Sequence, residues 1–165
     1  MPENDPLAAK HAAFVETFVN SLDLMAFMPA DPAEPLSRPS GECVHGRISF
    51  KGPYSGTMEI VCPKSFCREL AGNVLGCAPA DEQALQAADD ALCELLNVTV
   101  GAMMPHVADT PSQIFSLALP AMEAFDVEQK WEGFTQGRGA AVLFCEGHVI
   151  AVRLSIVATK SAAAA

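Results

Sequence analysis

Four residues in one segment of the chain combine polar side chains with a spacing that brings them together. Asp90, Glu94, Asn97 and Gly101 follow one another at intervals of four, three and four residues. On an α-helix these intervals place all four within about 60° of one another on one face. The opposite side of the same helix is apolar, with Leu92, Leu95, Leu96 and Met103. We therefore expect the helix to bury its leucine side and to expose the four residues, whose surface we call the motif face.

The motif face suits positioning chemistry better than proton transfer. An asparagine side chain carries no proton acceptor of useful basicity, so Asn97 cannot act as a general base. Phosphoryl transfer needs none, because its catalysis comes from orienting an attacking water and stabilising charge, and an amide on a rigid helix can orient water. A carboxylate such as Glu94 can pair with a cation on another molecule. An ordinary solvated helix face would carry the same side chains, and these residues alone leave both interpretations open.

The distribution of charge narrows the class of partner. The chain has 165 residues and a net charge of −10, and between Glu69 and Gln129 it contains ten acids but no lysine or arginine. Nucleic-acid binding needs clustered cationic side chains, so the sequence argues against it. An acidic surface without a neutralising cation nearby suits a partner that presents a lysine or a positively charged groove.

Length and composition predict one compact domain over residues 1–160, followed by a disordered tail at 161–165. The first residues lack the basic region of a secretory signal, and no apolar run is long enough to cross a bilayer. The six cysteines, at positions 43, 62, 67, 77, 93 and 145, contain no CxxC pair. This spacing predicts free thiols, no metal site in the chain and a reducing, cytoplasmic location.

The elements that would position the motif face form an α+β pattern. Turn residues and apolar periodicity predict the order α-β-β-α-α-β-β-β, an antiparallel sheet with helices packed on one face. The predicted helices cover 7–27, 64–75 and 81–104, and the predicted strands cover 44–51, 57–62, 113–125, 139–145 and 148–158. Prolines make 28–42 an irregular connector, Pro105 should end or bend the long helix, and 130–137 is predicted to be a glycine-containing loop.

One further residue completes a recognisable pattern. Pro120 follows Asn97 after an interval of twenty-two residues, and Asp90 and Glu94 precede Asn97 at the spacing given above. This pattern resembles that of the CheC/CheX/FliY family of chemotaxis phosphatases, which carries an acid or a serine at the first position. The order of elements is similar to CheX, the form with a single motif, because no second copy of the motif is visible in the chain.

The resemblance implies an activity and a role for each motif residue. It implies hydrolysis of the phosphoaspartate of a CheY-type response regulator, a receiver domain that holds its own Mg²⁺, with no cofactor in this chain. Glu94 would form a salt bridge with a receiver lysine, and Asn97 would orient the hydrolytic water. Supporting positions would be Asp90, Gly101 and Pro120.

The sequence also predicts an oligomeric state and leaves one alternative to an enzyme. The long apolar hairpin near the C-terminus, together with the resemblance, predicts a homodimer joined through sheet edges. The alternative to an enzyme is a non-catalytic receiver-binding adaptor or flagellar-switch component that docks through the same helix. Intact Glu94 and Asn97 favour the phosphatase, because a surface used only for docking would not need an amide at Asn97.

Overall fold

The computed structural model describes residues 5–34 and 36–159. Over these residues the helices are α1 (Pro6–Ala26), α2 (Lys64–Leu75), α3 (Glu82–Val107) and α4 (Val127–Thr135). The strands there are β1 (Ala30–Pro32), β2 (Cys43–Lys51), β3 (Tyr54–Pro63), β4 (Ser116–Leu117), β5 (Ala121–Phe125), β6 (Ala140–Cys145) and β7 (His148–Ala158). None of the helices in this part of the chain has both the length and the apolar character needed to span a membrane. The predicted tail at 161–165 lies outside the described residues.

The seven strands of the described chain form one antiparallel sheet. Their order is β1-β6-β7-β3-β2-β4, and β5 pairs with β2 along the same edge as β4. The β2–β3 hairpin places Ile48 opposite Met58, and on its other side β3 places Met58 opposite Leu154 of β7. The α+β class and the predicted order of the main elements are confirmed, with β1 and α4 as additions.

Helices α1, α2 and α3 pack on one face of the sheet, as the sequence predicts. The core between them is formed by the apolar sides of the helices and by alternate strand residues such as Ile48, Ile60 and Leu154. The predicted apolar side of α3 is at most 1% exposed at Leu92, Leu95, Leu96 and Met103. Gly46 of β2 allows α3 to lie close to the sheet, because a Cβ there would be 3.1 Å from Leu96 and 3.3 Å from Leu92.

The segment 130–137, predicted as a loop, is instead mostly helical. It contains the greater part of α4, which packs on the other face of the sheet. Asp126 caps this helix by accepting a hydrogen bond from the backbone N–H of Gln129 at 3.2 Å. Trp131 and Phe134 provide the packing, since both are buried against Val61 and other residues of the sheet. A nine-residue helix with two buried aromatic residues has too few periods to be recognised from the sequence.

The proline-rich connector also contains regular structure. Residues 28–42, predicted to be irregular, include β1, whose Ala30 and Pro32 lie opposite Cys145 and Leu143 of β6. Proline is tolerated there because β1 is an edge strand and needs hydrogen bonds on one side only. As a result the C-terminal hairpin does not form an open edge: β7 lies inside the sheet and β1 covers part of β6.

A polar cluster is buried between the sheet and α4. The carboxylate of Glu59, only 8% exposed, accepts hydrogen bonds from His45 Nε2 at 3.0 Å and from Arg153 Nε at 2.8 Å. The guanidinium of Arg153 lies over the ring of Phe134, 4.2 Å from its centroid. Burial would raise the pKa of Glu59, but the hydrogen bonds and charges of His45 and Arg153 lower it overall. The cluster joins β2, β3 and β7 beneath α4.

Candidate functional site on helix α3

The motif face lies on the outer side of α3. Asp90, Glu94, Asn97 and Gly101 are all exposed, and the leucines one or two residues away from them are buried. The helix begins after Asp81, whose carbonyl accepts from the N–H of Leu85 at 3.1 Å. Because its inner side is fixed against the sheet and against α1 and α2, α3 holds the four exposed residues on a rigid support.

The polar side chains of the motif face have no partners within the described chain. The side-chain hydrogen bonds within α3 run from Gln86 to Glu82 on the exposed side and from Thr99 to the carbonyl of Leu95 on the buried side. Among residues 5–34 and 36–159, no hydrogen bond or ion pair involves the side chain of Asp90, Glu94 or Asn97. These groups therefore do not stabilise the fold through polar contacts and are free to meet another molecule.

Gly101 is an exposed glycine inside a long helix. A Cβ added to it would meet no atom within 4 Å, so packing within the chain does not require glycine there. Its backbone is helical, so a positive φ does not require it either. Glycine in a helix interior costs about 1 kcal/mol relative to alanine. The fold therefore gives no reason for the absence of a side chain at this point of the motif face.

Of the two predicted effects of Pro105, an end or a bend of the helix, the end is wrong, because α3 continues to Val107. The last turn is retained because Met103 and Val107 are fully buried. In addition, Lys10 Nζ donates a hydrogen bond of 2.8 Å to the carbonyl of Val107 and pairs with Asp109 at 3.3 Å. These contacts offset the backbone hydrogen bond that Pro105, which has no N–H, cannot make.

A groove of about 610 Å³ borders α3 on the side that carries Leu85, Ala88 and Asp89. Its walls come from α2, α3 and β5, and it contains both cations and acids. Lys64 and Arg68 of α2 lie across it from Asp89, the neighbour of Asp90, and Lys64 forms an ion pair of 3.0 Å with Glu42. The sequence did not connect these two cations with α3, although none of the four motif-face residues lines the groove itself. The two cations were missed because they belong to a different helix.

Pro120 does not belong to α3 but lies at an edge of the sheet. It occupies the gap between β4 and β5, which both pair with β2. In that gap three residues, Ala118 to Pro120, lie opposite only Ile48 and Ser49 of β2. Such an extra residue bends an edge strand, and proline fits there because no ladder hydrogen bond is required of it. The structure thus brings Asp90, Glu94, Asn97 and Gly101 together, while Pro120 shapes the neighbouring strand.

The cysteines include a buried pair and one residue of α3. Cys62 and Cys67 are buried with their Sγ atoms 3.6 Å apart, a proximity that their spacing in the sequence did not reveal. Burial raises the pKa of the Cys62 thiol, and Cys67 raises it further. Burial also raises the pKa of Cys93, and the charges of Asp90 and Asp89 add to this. Among the described residues, no group of three or more His, Cys, Asp or Glu side chains is arranged to hold a metal ion.

Comparison of the sequence with known protein families gives one match. The model of the family described as chemotaxis phosphatase CheX matches residues 44–124, the segment that carries α3 and extends from β2 to β5. Among curated proteins, none matches the sequence significantly.

Solved structures with this fold come from several bacteria. CheX from Desulfovibrio desulfuricans is 17% identical with a TM-score of 0.63, over 90% of this chain and 99% of that one. CheX from Vibrio vulnificus is 19% identical with a TM-score of 0.63, over 88% of this chain and 95% of that one. A chain of the CheX–CheY–BeF3–Mg²⁺ complex from Borrelia burgdorferi is 17% identical with a TM-score of 0.62, over 88% and 96% respectively. At these identities the similarity shows a shared fold.

Proposed function

Because this chain is a CheX-like member of the CheC/CheX/FliY family, we propose that it hydrolyses the phosphoaspartate of a CheY-type response regulator. The observation that supports the proposal is that the side chains of Glu94 and Asn97 are exposed and unpaired within the described chain. Both are exposed on a helix whose other side is packed in the core, and neither side chain has a partner within the described chain. A carboxylate and an amide held in this way are ready to engage a second protein.

In this proposal Asn97 positions the water that attacks the phosphoryl group. Its amide can accept a hydrogen bond from the water and donate one to a phosphoryl oxygen. The water oxygen then bonds to phosphorus while the bond from phosphorus to the aspartyl oxygen breaks, which releases inorganic phosphate and a free carboxylate. Orienting the water is the main contribution a protein can make to such a loose transition state. The Mg²⁺ would belong to the receiver domain, and the Borrelia complex does contain CheY, BeF3 and Mg²⁺.

Glu94 would anchor the receiver. It lies three residues before Asn97, so the two side chains project from adjacent positions on the same face. A receiver lysine paired with Glu94 would fix the phosphorylated site over Asn97. Asp90 adds a second negative charge to the same face, one turn earlier, and favours the approach of a positively charged surface.

The proposal includes a location and an assembly. All six cysteines are free thiols, and a reducing cytoplasm would keep them so. The same compartment would contain the phosphorylated response regulator. A homodimer would use one of the two sheet edges, formed by β1 and by β4 with β5. Edges of this kind pair readily with another strand.

The test is release of phosphate from a phosphorylated CheY-type receiver of the same organism. The parent protein should accelerate it, and Asn97→Ala should reduce the turnover step by about 10²-fold or more, as expected for loss of one preorganised polar group. Gln83→Ala is the matched control, since Gln83 is an exposed amide on α3 fourteen residues before Asn97. It should leave turnover unchanged.

The same assay separates the enzyme from an adaptor. If the parent binds a receiver loaded with beryllofluoride but does not accelerate phosphate release, the protein is a docking adaptor. If Asn97→Ala releases phosphate as fast as the parent, the water-positioning role of Asn97 is wrong.

A further inference from the structure

Two residues of α3 that oppose helix formation are separated by four positions. Gly101 and Pro105 are both exposed, and α3 contains both because it continues to Val107, with Pro105 in its last turn. Glycine and proline are the two least favourable residues in a helix interior. The packing of the chain does not require Gly101, since a Cβ there would meet nothing within 4 Å.

A separation of four residues has a specific consequence for the backbone. In an α-helix the carbonyl of one residue accepts from the N–H four residues later. Pro105 has no N–H, so the carbonyl oxygen of Gly101 lacks its regular donor. Within residues 5–34 and 36–159, no side chain and no backbone group outside the helix donates to this carbonyl. Pro105 therefore leaves an acceptor without its regular donor, and the absence of a side chain at Gly101 leaves the helix surface just before that acceptor, toward Asn97, uncovered.

Gly101, the residue that carries this acceptor, is exposed beside a hollow in the surface. Gly101 and Pro105 line a hollow of about 460 Å³ between the end of α3 and the following segment, which contributes Gln113 and Phe115. Gly101 also follows Asn97 by four residues, which puts it about 6 Å further along the same face. A protein held at Glu94 and Asn97 would extend over this carbonyl.

We infer that the carbonyl oxygen of Gly101 accepts a hydrogen bond from an N–H or O–H group of the docked receiver domain. This inference rests on the proposed function. The ionised carboxylates of Asp90 and Glu94 accept hydrogen bonds and donate none, and the same is true of the Gly101 carbonyl. The motif face therefore suits a partner surface that is rich in hydrogen-bond donors. Gly101 and Pro105 thus act as a pair of positioning residues that prepare the backbone for docking.

The test uses Pro105→Ala, which restores the missing N–H and lets it occupy the carbonyl of Gly101. The melting temperature of the free protein should rise by at least about 2 °C, because alanine favours the helix. Binding to a receiver loaded with beryllofluoride should weaken by about three- to tenfold, the effect of one neutral hydrogen bond. The KM for the phosphorylated receiver should rise by the same factor, while kcat changes by less than about twofold. Pro79→Ala, at an exposed proline before α3, is the control and should leave binding unchanged.

A spectroscopic measurement distinguishes this role from a purely structural one. The carbonyl carbon resonance of Gly101 should shift when the receiver binds the parent protein, and should shift much less in Pro105→Ala, where the oxygen is already bonded. Gly139, the other glycine that precedes an alanine, serves as the internal reference in a sample labelled at glycine carbonyls and alanine nitrogens.

These measurements distinguish a failure of the Gly101 hydrogen bond from a failure of the proposed phosphatase function. If the parent binds the receiver and releases phosphate, but Pro105→Ala binds as tightly as the parent, the inference is wrong and the proposed function stands. An unchanged Gly101 resonance on binding would have the same meaning. If the parent does not bind the receiver at all, the proposed function and the inference about Gly101 are both wrong.

Discussion

Removal of the Glu94 carboxylate should weaken docking without affecting the fold. Glu94 is exposed and has no polar partner among the described residues. Glu94→Ala should therefore change the free energy of unfolding by no more than about 0.5 kcal/mol, as surface substitutions usually do. In the complex the same carboxylate would be paired with a receiver lysine and partly removed from water, where loss of one partner costs about 2–5 kcal/mol. The dissociation constant should rise by about 30-fold or more.

Glu82→Ala provides a control with the same change of net charge. Glu82 is also an exposed glutamate on α3, but it lies twelve residues before Glu94. Twelve residues of helix span about 18 Å, which exceeds the Debye length of about 8 Å at physiological salt. A receiver lysine docked at Glu94 would therefore feel Glu82 only weakly, and Glu82→Ala should change the dissociation constant by less than about twofold.

The assay is titration of each variant with a fluorescently labelled receiver loaded with beryllofluoride, at low and at physiological salt. The expected ranking at physiological salt is parent equal to Glu82→Ala, with Glu94→Ala far weaker. Equal weakening by the two substitutions would refute the specific ion pair and leave only general attraction to an acidic surface. A fall in melting temperature of Glu94→Ala by more than about 2–4 °C would refute the claim that Glu94 is free in the unbound protein.

The remaining predictions concern the fold and the assembly. Glu59→Gln should lower the free energy of unfolding in urea by about 3–5 kcal/mol, because it breaks a buried ion pair. Glu123→Gln, at an exposed position, is the control and should lower it by less than about 1 kcal/mol. Similar losses for the two variants would contradict the buried cluster. The pKa of Glu59 in the folded protein lies below its ordinary value of 4.5. The contribution of Glu59 to folding stability is therefore present above pH 4.5 and should be lost as the pH falls through the lower pKa of the folded state. Urea midpoints that do not fall on acidification would argue against this. Cys77 and Cys93, the partly exposed thiols, should react first with a thiol reagent, and faster reaction of buried Cys62 would show that the helix packing is wrong. A homodimer should give twice the chain mass of 17.4 kDa in light scattering, and a monomeric mass at micromolar concentration would exclude it.

The features that the sequence predicted well are those with a repeating pattern. The buried side of α3 follows the helical period over many turns, so the amino-acid pattern alone is enough to assign Leu92, Leu95 and Leu96 to the core. Strand β2 largely alternates between buried and more exposed residues, and the β2–β3 hairpin has a glycine-containing turn. The C-terminal hairpin consists of two strongly apolar runs on either side of Glu146 and Gly147, which is enough to predict two strands.

The features that escaped prediction depend on contacts between distant parts of the chain. The partners of Glu59 come from β2 and β7, so no local pattern identifies the cluster. The groove between α2, α3 and β5 is lined by residues that are distant in the sequence, so Lys64 and Arg68 could not be connected with Asp89 from a local pattern. The continuation of α3 through Pro105 depends on tertiary packing and on Lys10 of α1, which override a local helix breaker.

The two sides of α3 obey different constraints, and the difference bears on function. On the buried side polar groups are satisfied: Thr99 is fully buried and donates to the carbonyl of Leu95 at 2.7 Å. No buried side-chain nitrogen or oxygen among the described residues lacks a partner. The exposed side retains Gly101 and Pro105, which lower helix stability, beside a carboxylate and an amide that contact nothing in that part of the chain. Alanine at Gly101 would meet no steric barrier, so the fold itself does not account for these residues. A surface that gives up helix stability while leaving its polar groups unpaired is better explained by the requirements of a docked partner than by those of the chain alone.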